Sequence, residues 1–300
     1  MVRLDGVAYT ILSSVAFGIM PVWVKLAYTT GLTAYHVLFL RALIACAFLY
    51  VFMRYKRIPY KLEQEQFRLV IFIGSIGYTG ALLSLYIAYN YIGVGVSTAL
   101  HYLYPVIVML FSLFLFRQRL RAGKWSTLVM SLVGVYLMTA VEEIKLERFG
   151  VFIASLSAVL FAIYVAGVAH PKMKAVNSYA LTFNVLSVSS LISFALIVIT
   201  GQWPPPVTPE GLFYVTLIAF FCTSLAVLLF IKGIKIIGPS SASILSTLEP
   251  IVSLVAGVML FHEALSWQVA AGSALVIAAV IMLTYIEAKE APAENCSGCS

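Results

Sequence analysis

Apolar stretches alternate with short polar or charged breaks ten times along the chain. They cover residues 6–28, 34–53, 68–89, 95–116, 125–141, 150–169, 179–200, 211–231, 241–261 and 267–286. A helix rises about 1.5 Å per residue, so about 20 apolar residues span the hydrocarbon core of a bilayer. Most of the stretches are near that length, and 125–141 is short. The breaks carry helix-ending residues such as Gly31, Gly93 and the run Pro204-Pro205-Pro206. None is long enough to hold a separate soluble domain. The pattern predicts an all-α integral membrane protein of ten transmembrane helices. The first stretch is longer than the apolar region of a cleaved secretion signal, and nine more follow it.

One stretch occurs twice. Residues 92–120 align without gaps on 237–265, 145 positions later, with eight of 29 residues identical, Pro105 and Pro250 among them. The first copy runs into the basic cluster Arg117, Arg119, Arg121 and Lys124. The second ends in His262-Glu263 and has Lys232 and Lys235 ahead of it. Positive charge marks the cytoplasmic side of a membrane protein, so the two copies point in opposite directions. A fainter echo pairs Gly6-Val7 with Gly150-Val151. Ten spans in two sets of five give the same result, because an odd number of crossings turns the second half upside down. The expected organisation is a first five-helix repeat over 1–141, an inverted second repeat over 150–286, and a disordered cytoplasmic tail over 287–300. With the N-terminus inside, fifteen of the 19 lysines and arginines fall in cytoplasmic regions. Only Lys145 and Arg148 fall opposite, and Lys25 and Arg41 lie within spans. Both termini are therefore expected in the cytoplasm. Inverted repeats are the usual architecture of secondary transporters.

Composition narrows the classes. The chain is 62% hydrophobic and 10% charged, with mean hydropathy +1.01, whereas a soluble domain is about 25% charged. Its expected surroundings are a lipid bilayer. The net charge of +7 sits in a few loops, so it reads as a topology signal and as attraction to anionic headgroups, with no nucleic-acid partner. Trp125, Trp203 and Trp267 fall at predicted span ends, as an aromatic belt requires. Cys46 and Cys222 stand singly in apolar segments and read as small packing residues. Cys296 and Cys299 supply only two of the four ligands of a structural zinc site, so no metal is expected. The chain has no GxxxxGK[ST], HExxH, GxSxG or EF-hand loop. It is read as neither an ATP-driven pump nor an enzyme, and no cofactor is expected.

Charged groups in a bilayer cost at least about 2.5–3.5 kcal/mol each, which makes the few retained ones informative. Lys25 is close to the outer end of the first span. It either snorkels to the headgroups or faces a cavity between the halves. Arg41 lies about 10 Å into the second span. It is either paired structurally or in contact with substrate, and its fork suits a carboxylate or a phosphate. Glu249 lies near the middle of the ninth span and directly precedes Pro250, which bends or breaks a helix. It is the strongest candidate, as proton acceptor, counter-ion or ligand for an amine; the alternative is a buried ion pair with Lys25 or Arg41. The equivalent place in the first half reads His101-Tyr102-Leu103-Tyr104-Pro105, with Tyr104 opposite Glu249. His101 could titrate near neutrality and couple transport to protons, or serve as a hydrogen-bonded structural residue. Tyr102 and Tyr104 either line a pocket or fill the core.

These residues together resemble the drug/metabolite transporter superfamily, specifically its EamA-type proteins with two five-helix repeats. The resemblance rests on Lys25 late in the first span and Arg41-Ala42-Leu43 in the second. It rests also on Tyr104-Pro105, Glu249-Pro250 and Glu263-x-Leu265. It covers about residues 6–286. One departure is Arg117-Gln118, where the family has glycine–glutamate. The resemblance implies ten helices, both termini inside, and a central cavity that opens alternately to the two sides. It implies export or exchange of small metabolites, amino acids or related amphipathic compounds, in the inner (plasma) membrane. The expected substrate contacts are Lys25, Arg41, His101, Tyr102, Tyr104 and Glu249, with helix breaks at Pro105 and Pro250. A homodimer is compatible with this reading. The alternative is a non-transporting membrane sensor or assembly subunit, disfavoured by the shortness of every cytoplasmic loop. A lipid-modifying membrane enzyme is a third reading, with only scattered candidate groups.

Overall fold

The computed structural model of the chain describes residues 2–92, 94–114, 122–139, 147–261 and 267–294. Arg117, Gln118, Arg119, Arg121, Lys145, His262, Glu263, Cys296 and Cys299 lie outside the described residues. Among the described residues the ordered elements are all helical. The first half contains α1 (Val2–Gly18), α2 (Met20–Thr29), α3 (Ala34–Tyr55), α4 (Gln64–Phe72), a π segment (Ile73–Thr79), α5 (Gly80–Ile92), α6 (Val94–His101), α7 (Tyr104–Phe114) and α8 (Ala122–Thr139). The second contains α9 (Arg148–Ala169), the short α10 (Pro171–Lys174), α11 (Ser178–Ile199), α12 (Pro209–Leu217), a second π segment (Ile218–Leu225), α13 (Ala226–Ile237), α14 (Pro239–Leu245), a 3-10 turn (Ser246–Leu248), α15 (Glu249–Phe261) and α16 (Trp267–Glu294).

The 145-residue offset read from one segment governs several of these boundaries. Gln64, Ile73 and Tyr104 each begin an element, and so do Pro209, Ile218 and Glu249, each 145 positions on. Packing follows the same exchange of halves. Helix α1 packs on α13 of the other half, and α9 packs on α5; α3 meets α11, and α8 meets α16, their own counterparts. The two glycines of the faint sequence echo make equivalent contacts. A Cβ on Gly6 would lie 2.7 Å from Ile236 and 2.8 Å from Ile237, and one on Gly150 would lie 2.7 Å from Ile92 and Tyr91. Only glycine permits helix approach that close at both places.

Six runs among the described residues are long and apolar enough to cross a membrane: Arg3–Thr29, Ala34–Tyr55, Gln64–Ile92, Arg148–Ala169, Ser178–Ile199 and Pro209–Ile237. The stretches 95–116 and 241–261, expected as single spans, are each interrupted. The first span is pinched at Ile19, because Pro21 has no N–H to donate and crowds the carbonyl one turn back. The last helix continues past the expected end of its span to Glu294.

The π segments were not expected. Each widens its helix by one residue per turn, and hydroxyls inside the segment satisfy the displaced carbonyls. Thr79 Oγ1 donates to Gly74 O at 2.7 Å, and Ser224 Oγ donates to Ala219 O at 2.8 Å. Donors and acceptors are again 145 positions apart. Lys124, read as part of a cytoplasmic charge cluster, is buried, and its Nζ donates to Ser241 Oγ on α14 at 3.1 Å.

Candidate functional site

The two interrupted helices meet. The α6–α7 break falls at Tyr102-Leu103, and the α14–α15 break is the single 3-10 turn Ser246–Leu248. Pro105 and Pro250 are the second residues of α7 and α15. In the first turn of a helix a missing N–H leaves no intrahelical bond unmade. Each proline therefore restarts a helix instead of bending a continuous one, and the irregular turn lies just ahead of it.

Side chains from one break reach the other. Tyr102 Oη donates to Glu249 Oε2 at 3.1 Å. The Tyr104 hydroxyl bonds to Ser246 Oγ, which itself donates to Ser243 O. Tyr102 and Tyr104 are buried, and Glu249 is half-buried at the first position of α15. The end of α1 closes over the same turn. Ser253 Oγ donates to Gly18 O at 2.9 Å, and a Cβ on Gly18 would lie 2.7 Å from Glu249 O.

His101 is the last residue of α6 and is buried. Its Nδ1 lies 2.9 Å from Ser157 Oγ on α9, and Ser157 Oγ donates to Ala154 O at 2.7 Å. With the serine proton committed to that carbonyl, the network assigns the imidazole proton to Nδ1. Ser157 was not foreseen; a serine in an apolar helix carries no local signal.

Arg41 is 1% exposed on α3. Its Nη2 donates to Tyr78 Oη at 3.3 Å, and its Nη1 faces Met20 Sδ at 3.1 Å. No carboxylate is among these partners, and that of Glu249 is Tyr102. The ion pair considered for Glu249 and Arg41 is not formed. The two are joined instead by a chain of aromatic rings in tilted and edge-on contact. Ring centroids are 6.1 Å apart from Tyr102 to Tyr104, 4.7 Å from Tyr104 to Phe161, 5.6 Å from Phe161 to Tyr164, and 5.3 Å from Tyr164 to Tyr78. Tyr78 then meets Arg41. Phe161, Tyr164 and Tyr78 escaped sequence reading because an aromatic residue in an apolar helix looks like any core residue.

Of the six expected contact residues, four converge: His101, Tyr102, Tyr104 and Glu249. Arg41 stands at the far end of the aromatic chain. Lys25 is exposed on α2. The site thus combines a carboxylate, phenol hydroxyls and an imidazole, with a guanidinium at the end of the rings.

Comparisons with known proteins agree with this architecture. Residues 4–140 and 148–285 match the EamA-like transporter family. A relative from Bacillus subtilis (strain 168), named "Uncharacterized transporter YojE", is 23% identical over 301 residues and aligns over 95% of each chain. A protein of known crystal structure shares the fold with a TM-score of 0.80 at 16% identity, over 95% of this chain and 98% of that one.

Proposed function

The chain belongs to the EamA-like transporter family of the drug/metabolite transporter superfamily and is a multi-pass membrane transporter. From that premise we propose that it is a secondary transporter, moving small metabolites by alternating access. The cargo is an amino acid or a related amphipathic compound, and the direction is export or exchange across the plasma membrane. With ten crossings and both termini in the cytoplasm, fifteen of the 19 basic residues lie on the cytoplasmic side, which supports that topology.

The observation that carries this reading is the joint between the two broken helices. It consists of Tyr102 on Glu249 and Tyr104 on Ser246, and it links the halves at equivalent places in the repeat. Such a hydrogen bond contributes about 0.5–1.5 kcal/mol net between neutral groups and about 1.5–3 kcal/mol to a charged one. That is strong enough to hold one conformation and weak enough for a polar substrate to replace. A substrate that engages Glu249 or the phenols competes for the groups holding the halves together. Binding is thereby coupled to the rocking of one half against the other.

Substrate counterflow in proteoliposomes tests the proposal. Vesicles are preloaded with a panel of amino acids and small organic acids, and wild type is compared with Glu249→Gln. The expected result is saturable exchange of one compound class, lost in the variant. Exchange that survives the substitution would make Glu249 structural. No exchange by wild type across the panel would count against the metabolite class.

A further inference from the structure

Arg41 is a buried cation with too few partners. A guanidinium has five N–H donors, and the protein supplies it one phenol oxygen and one thioether sulfur. Its Nε makes no hydrogen bond, although it is fully buried. Taking such a charge out of water costs several kcal/mol unless it is neutralised and its donors are matched. A structural arginine would be expected to have acquired an acid or several carbonyls.

The surroundings repeat the deficit. The hydroxyls of Tyr86, Tyr164, Ser189 and Ser193 are buried and make no hydrogen bond. Tyr86 is an electrostatic neighbour of Arg41, and Tyr164 packs on Tyr78, which Arg41 touches. Ser189 and Ser193 lie at the same level. Cys46 meets Ser187 and Phe39 meets Phe194, so α3 and α11 run antiparallel. That pairing sets Arg41 at the height of the α11 turn holding Ser189 and Ser193. Buried polar groups are nearly always paired, so several unpaired ones near a buried cation call for an acceptor from outside the chain.

We infer that Arg41 and these hydroxyls form a binding station for a small monocarboxylate. The inference rests on the transporter reading and adds the substrate class. A planar carboxylate offers two oxygens to the guanidinium fork and lone pairs to the hydroxyls. One negative charge balances the single guanidinium. A phosphate dianion would leave excess charge in a low-dielectric setting with no second cation among Arg41's described partners. The aromatic chain beside the station accepts the apolar part of an amphipathic acid.

Arginine footprinting on the reconstituted wild-type protein tests this. Phenylglyoxal reacts with exposed guanidinium groups, and labelling of Arg41 is followed by peptide mass spectrometry, with the exposed Arg54 as reference. The probes are propionate, its neutral isostere propionamide, L-alanine, L-alaninamide and inorganic phosphate. Arg41 is expected to be labelled slowly, and propionate or alanine should slow it about tenfold at ten times their Kd. The amides should leave it unchanged. Equal protection by acid and amide, stronger protection by phosphate, absence of protection, or an Arg41 never labelled while Arg54 reacts would each overturn the inference. Counterflow of neutral or cationic compounds alone would also overturn it, yet would leave the transporter reading standing.

Discussion

Tyr102 and Glu249, 147 residues apart in sequence, share a hydrogen bond of 3.1 Å that joins the break of one helix to the restart of another. If this bond is part of the joint that opens in each cycle, its partners act as a unit. Tyr102→Phe and Glu249→Gln should each lower counterflow about tenfold or more. The double variant should be little worse than the worse single one, with a coupling of about 0.5–3 kcal/mol. Additive losses would show that the two residues act separately.

Arg41 allows stability to be separated from transport. Replacing a buried, poorly matched charge by an apolar residue of similar length is often neutral or stabilising. Arg41→Met should therefore unfold in detergent at the wild-type temperature or above it, while exchange of carboxylates disappears. A large fall in unfolding temperature would assign Arg41 a structural role instead.

Gly77 faces the backbone of α9. A Cβ there would lie 2.9 Å from Tyr164 Cα and Cβ and 3.0 Å from its nitrogen, atoms that cannot turn aside. Gly77→Ala should destabilise by about 1–3 kcal/mol. Gly80→Ala is the matched control. Its nearest neighbour is the flexible end of Leu160 at 3.3 Å, so the helix propensity of alanine should offset the crowding. Thermal unfolding of both variants checks the contrast.

Thr79 and Ser224 perform the same task in the two π segments. Thr79→Val and Ser224→Ala should each cost about 1 kcal/mol by removing one hydrogen bond. Similar falls in unfolding temperature are expected. A fall in one variant only would mean that the two segments differ in what holds them.

How far the sequence discloses this fold depends on what each feature rests on. The repeat was legible because helix boundaries follow glycine, proline and the length of apolar runs, which are local properties. An offset found at Pro105 and Pro250 accordingly reappears at Gln64 and Pro209, and at Ile73 and Ile218. The acid at the break was legible because charge in an apolar run is costly. The π segments were not, since they go with hydroxyls, those of Thr79, Thr223 and Ser224, bonding five residues back within sequences that otherwise read as plain helix. The aromatic chain from Tyr104 to Tyr78 was not legible either. It is assembled from residues on α7, α9 and the first π segment, whose proximity is a property of the packed molecule.

The crossed packing of Gly6 on Ile237 and Gly150 on Ile92 has a consequence for the chain as a whole. Each half lays its opening helix against the other half and keeps no seat for it at home. A chain severed between Thr139 and Glu147 would yield two fragments, each with an uncovered groove and an uncovered helix. Neither is a domain in the sense of something that folds alone. The smallest unit with a closed interior is the pair, and a single half could reach that state only by finding a second copy set upside down beside it.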